Sequence, residues 1–127
     1  MITVKLPIVQ QKILENGELH TEKTEEEVQV DFSVYAEMRW EKEFPQQAEK
    51  EGLFEYIERL NRIKKLGKNA HLQRELVLSM TKVLYCLIES NWTFKEFAQK
   101  ISIQQPAFIK KINEILELAV NSSAEKN

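Results

Sequence analysis

Hydrophobic and polar residues alternate at both ends of the first thirty-odd positions. Ile2, Val4 and Leu6 are separated by Thr3 and Lys5, with Pro7 following, and Val28, Val30 and Phe32 repeat the pattern. A period of two places such residues on one face of a β-strand. Between the two runs, Asn16-Gly17 sits between Ile13-Leu14 and Leu19, and Asn-Gly supplies the positive φ angles of a tight hairpin turn. A small antiparallel sheet is predicted within residues 1–33. The stretch 21–27 (TEKTEEE) holds four glutamates and no apolar anchor, so it reads as a solvated loop or strand end.

From Ser33 the spacing becomes helical. Tyr35, Met38, Trp40 and Phe44 lead to Pro45, where a helix must stop or bend. A second helix starts near Leu53, with Leu53, Ile57 and Leu60 as its stripe, Tyr56 and Ile63 alongside, and Gly67 at its end. Asn69 is placed to cap a long third helix lined by Leu72, Leu76, Met80, Val83 and Leu87, and broadened by Val77, Leu84 and Ile88. So wide an apolar face predicts a central, heavily packed helix. Thr93 and Glu96 form a capping-box pattern, and Trp92 and Phe97 fit the accompanying hydrophobic staple. A last helix opens at Pro106 and carries Phe108, Ile112, Ile115 and Ala119, with Ile109 and Leu116 beside them. The residues NSSAEKN, 121–127, read as a disordered tail. The expected fold is mainly α within an α+β class. A small N-terminal hairpin or sheet (1–33) precedes a compact bundle of about five helices (34–120), in a single domain of 127 residues.

Composition supports this picture. The acids are nearly all Glu, with Asp31 the sole aspartate, and only three Gly and three Pro interrupt the chain; Glu propagates helices, whereas Asp favours caps and turns. A net charge of −2 provides no field drawing the chain to nucleic acid or to an anionic membrane. The single Cys86 rules out an internal disulfide, and no apolar run reaches the length of a membrane span. The cytoplasm is the expected location.

Candidate chemistry is sparse. His20 and His71 are far apart in sequence, so with one cysteine no metal-ligand spacing arises. Cys86, between Tyr85 and Leu87, reads as a small buried thiol. Gly17, Gly52 and Gly67 are isolated and make no phosphate loop. The acid pairs Glu37/Glu41, Glu55/Glu58 and Glu114/Glu117 lie three or four apart near Lys42, Arg59, Lys110 and Lys111, the arrangement of ordinary surface charge pairing. The residues therefore predict a binding protein, with no catalytic, cofactor or metal site. Trp40, Phe44, Phe54 and Tyr56 cluster around the Pro45 break, and aromatic residues left exposed there would form a partner-binding surface.

The run VQVDFSVYAEMRWEKEFP, from Val28 to Pro45, takes a strand directly into a short amphipathic helix. The later run LVLSMTKVLYCLIESNWTFKEFAQKI joins a buried helix to a short capped one. Together they resemble the tail assembly chaperones of long-tailed bacteriophages and prophages, although the residues between Leu6 and Val28 make a longer hairpin region than that family suggests. The resemblance implies a non-catalytic protein that coats the helix-rich tape measure protein, keeps it soluble in the host cytoplasm, and gives way as tail tube subunits polymerise. It also implies that a longer, frameshifted form can exist, and it is compatible with self-association into a ring or filament. Residues 93–116, TFKEFAQKISIQQPAFIKKINEIL, resemble in addition a helix-turn-helix of DNA-binding regulators. There Ala98 would stand at the close packing point, Gln104 and Gln105 at base edges, and Lys95, Lys100, Lys110 and Lys111 at phosphates. Ser102 in place of the usual turn glycine, Glu114 and Glu117 on the recognition helix, and the overall charge argue against DNA binding. Another small protein-interaction adaptor is the remaining alternative.

Overall fold

The computed structural model describes residues 2–66, 70–101 and 106–125, with side-chain surroundings described for fewer of them. Its element order is β1 (Ile2–Ile13), β2 (Leu19–Val30), α1 (Val34–Glu43), α2 (Pro45–Ala48), α3 (Leu53–Leu66), α4 (Ala70–Leu87), β3 (Ile88–Glu89), α5 (Phe94–Lys100) and α6 (Pro106–Glu125). The α+β class is as expected, a sheet joined to a helical body.

The sheet has the order β1-β2-β3 and is antiparallel throughout. β1 and β2 pair without interruption from Ile2↔Val30 to Ile13↔Leu19. The acidic stretch 21–27 is therefore strand, not loop. Cross-strand hydrogen bonding outweighs the poor strand propensity of Glu when both faces are open to water and the carboxylates stay solvated. The turn differs from the expected one. Gly17 alone adopts a positive φ, +84°, while Asn16 does not. Gly17 N–H donates to Leu14 O at 2.9 Å, Leu14 N–H to Glu18 O at 2.8 Å, and Glu18 N–H to the Asn16 side chain at 3.0 Å. This is a three-residue hairpin loop, a type I turn closed by one left-handed glycine. Pro7 lies in β1, the edge strand, where a missing N–H is tolerated.

β3 has no periodic signature because it is only two residues long. It pairs Gln29↔Glu89 and Val30↔Ile88, and Asp31 N–H donates to Leu87 O at 2.8 Å. The C-terminal end of α4 is thereby fixed to the base of the hairpin.

α1 begins at Ser33, whose hydroxyl accepts from Tyr35 N–H, and ends at Phe44, one residue before Pro45. Pro45 then opens the single turn α2, where its absent N–H costs nothing. α3 is capped from a distance: the Glu37 carboxylate accepts from Leu53 N–H at 2.9 Å and Phe54 N–H at 3.2 Å. Two otherwise unpaired donors and the positive end of the helix dipole meet one negative charge. The predicted capping box at α5 forms in full, with Thr93 and Glu96 each accepting from the other's backbone N–H at 3.1 Å. Trp92 stacks on Phe97 at 6.2 Å as the staple requires. The expected ends at Gly67 and Asn69 lie outside the described residues. α6 extends through Glu125, so the expected disordered tail is helical over 121–125. Propagation from an established helix is far easier than nucleation, even through Asn and Ser.

The core joins Leu6, Ile8, Val28 and Val30 of the hairpin base to Ala36 and Trp40 of α1 and the stripes of α3, α4 and α6. α4 is central: α1, α3, α5 and α6 all pack on it. Met80, Val83, Leu84, Cys86 and Leu87 are buried, as are Phe108, Ile112, Ile115, Leu116 and Ala119. β1 is held by α5 and α6, and its run Leu6 to Val9 is buried on both faces.

Candidate partner-binding surface

The aromatic cluster around Pro45 forms, but inside the molecule. Trp40 is 0% exposed and its indole N–H donates to Glu51 O at 3.0 Å. Its ring lies 5.2 Å from Tyr56, also buried, and 5.4 Å from Phe44. Phe44 continues to Phe94, Phe94 to Tyr85, and Tyr85 to Phe97, all in ring contact. Phe44 and Phe54 are partly buried against the core. Of the predicted partner-binding set, Trp40 and Tyr56 are thus core packing while Phe44 and Phe54 keep part of their surface exposed: α1 and α3 fold back across the Pro45 break, stitched by Glu37 and the Trp40–Glu51 bond.

Among the described residues, the exposed large apolar side chains gather elsewhere, in two places, apart from the single exposures of Ile2, Leu78 and Leu118. One is the solvent face of α1, where Val34 is 75%, Tyr35 57% and Met38 59% exposed. Helical spacing puts Val34, Met38 and Lys42 in one row with Tyr35 beside it, Arg39 at one margin and Glu41 at the other. The Arg39 guanidinium lies over the Tyr35 ring at 5.1 Å and donates through Nη1 to Ile88 O at 2.5 Å, while Nε and Nη2 are buried without a partner. The other place is the hairpin tip, where Ile13 is 79%, Leu19 63% and Leu14 43% exposed. Ile13 and Leu19 are register partners and project from one face of the ladder. Period-two reading of the sequence did not extend this far because polar Gln10, Gln11 and Lys12 separate Ile13 from the basal pattern.

The remaining candidates are placed as follows. Cys86 is fully buried and its thiol is pushed up to about 12 by loss of water, which keeps it protonated and unreactive. Tyr85 is also raised, first by burial and then by the Glu43 charge, and its hydroxyl donates to Trp92 O at 2.7 Å. Among the described residues, no group of three or more His, Cys, Asp or Glu is arranged to hold a metal, and no helix is long and apolar enough to cross a membrane. In the helix-turn-helix alternative Ala98 should be enclosed between helices, yet it is exposed. Lys100 lies over the Trp92 ring at 5.2 Å and Lys111 pairs with Glu114 at 3.2 Å. Gln104, Gln105 and Ser102 lie outside the described residues.

No protein-family model, curated protein or solved structure matches this chain.

Proposed function

We propose that this protein is a tail assembly chaperone, holding amphipathic helical segments of a tape measure protein until tail tube subunits replace it. The observation that carries the reading is the exposed row Val34, Met38 and Lys42 with Tyr35 on α1. α1 belongs to the run VYAEMRWEKEFP on which the family resemblance rests. Its buried side is fixed by Trp40 and Glu37, so the outer side is a rigid, pre-ordered apolar strip of the kind that receives one face of an amphipathic helix. Binding of this sort needs no reacting group, only apolar area and a polar margin to fix register, which Glu41 and Lys42 supply.

Co-expression with the large helix-rich protein encoded beside its gene tests the reading. The partner is expected to become soluble and to co-purify, and Met38→Glu is expected to abolish co-purification while the circular dichroism spectrum stays unchanged. A partner that stays insoluble with the wild-type chain overturns it. Salt-sensitive binding to duplex DNA in the same preparation would restore the helix-turn-helix.

A further inference from the structure

The outer half of the hairpin is paired in regular register to its tip although every residue from Gln10 to Glu25 is exposed. A two-stranded ribbon wet on both faces is marginal on its own, and this one ends in three apolar side chains. We infer that the hairpin is a dimerisation arm: in a two-fold pair of chains, each tip (Ile13, Leu14, Leu19) docks on the α1 row (Val34, Tyr35, Met38) of the other copy.

Geometry selects this occupant. At about 3.4 Å per residue, Leu19 lies roughly 35–40 Å from Val30 along β2. α1 starts four residues after Val30. The two apolar patches therefore lie at opposite ends of the arm, and an intact ladder keeps a tip from its own α1. Laying two arms antiparallel puts each tip at the other's base, so one two-fold operation satisfies both patches and closes the assembly.

Edge-to-edge strand pairing is the competing mode, and the β2 edge resists it. β2 carries Glu22, Glu25, Glu26 and Glu27, which a symmetry-related β2 would meet with like charge. This proposal goes beyond the chaperone reading and is tested on the protein alone, so it stands or falls separately. If both hold, a bound helix displaces the partner's tip.

Sedimentation equilibrium of the full chain should give twice the chain mass at micromolar concentrations. Leu19→Glu and Met38→Glu should each weaken association by roughly tenfold or more. Their mixture should regain much of it, because a mixed pair keeps one wild-type tip on one wild-type α1 row. A second test uses disulfides. Ile13→Cys chains mixed with Met38→Cys chains should cross-link between copies, with native Cys86 buried and silent. A monomer at every concentration, a dimer unaffected by Leu19→Glu, or cross-linking of Ile13→Cys chains to each other tip to tip would each overturn the proposal.

Discussion

Leu6 and Ile13 are aliphatic residues of the same strand, paired to the same partner strand, and their surroundings are opposite. Leu6 is sealed in the core and Ile13 is almost free in water. Around Leu6 the ladder is backed by α5 and α6, and β3 pairs with β2 nearby; around Ile13 every residue of the ladder, from Gln10 to Glu25, is exposed. The base is held by burial, at roughly 1.5–3 kcal/mol for each large apolar side chain fully enclosed. Among the described residues, the outer arm is held by its own hydrogen bonds, a glycine turn and an exposed Lys12–Glu22 ion pair at 3.5 Å, and such pairs contribute little. Regular secondary structure is thus no guide to where stability resides.

Substitutions sharpen this contrast. Trp40→Ala removes the largest enclosed side chain and its bond to Glu51, and should cost about 3–5 kcal/mol in chemical denaturation. Glu37→Ala leaves Leu53 and Phe54 N–H without their acceptor and should cost about 1–2 kcal/mol. Thr93→Ala, which opens the capping box, should cost about 1 kcal/mol. Leu19→Glu, in the arm, should change monomer stability by less than about 0.5 kcal/mol. A large loss of stability from Leu19→Glu under monomeric conditions would show the arm to be coupled to the body after all.

The capping box also gives a pH signature. The Glu96 carboxyl lies below its ordinary value because the Thr93 backbone N–H and hydroxyl hydrogen-bond to it. A lowered folded-state pKa stabilises fully above the unfolded value and is lost as pH falls through the folded one. The contribution should therefore vanish in acid, below the ordinary Glu range of about 4.3. Glu96→Gln keeps the reciprocal hydrogen bonds but removes the titrating charge, so it should flatten that part of the stability profile and cost less at neutral pH than Thr93→Ala.

Much of the body was legible from spacing. The stripes Leu53-Ile57-Leu60, Met80-Val83-Leu87 and Phe108-Ile112-Ile115 are buried, and the Thr93-Glu96 box closes as its sequence dictates. What spacing could not say was which aromatic residues the tertiary fold would cover. Trp40 and Tyr56 became core because Glu37, sixteen residues before Leu53, reaches across to seed α3 and draws the two helices together. That bond joins a charged side chain to backbone groups, and neither leaves a periodic trace. The extent of the hairpin was hidden for a related reason: with both faces wet, its outer half has no apolar alternation to read.

The two-residue strand β3 has a consequence for the order of events during synthesis. Val30 must wait for Ile88, and Asp31 for Leu87. The ribosome therefore releases the complete hairpin long before the segment that closes its inner edge. In that interval Leu6, Ile8, Val28 and Val30 form an apolar strip without its cover, an exposure of the kind that makes partly made chains aggregate. The glutamates of β2 stand on the neighbouring stretch of the same strand, where their charge can keep nascent chains apart until α4 arrives.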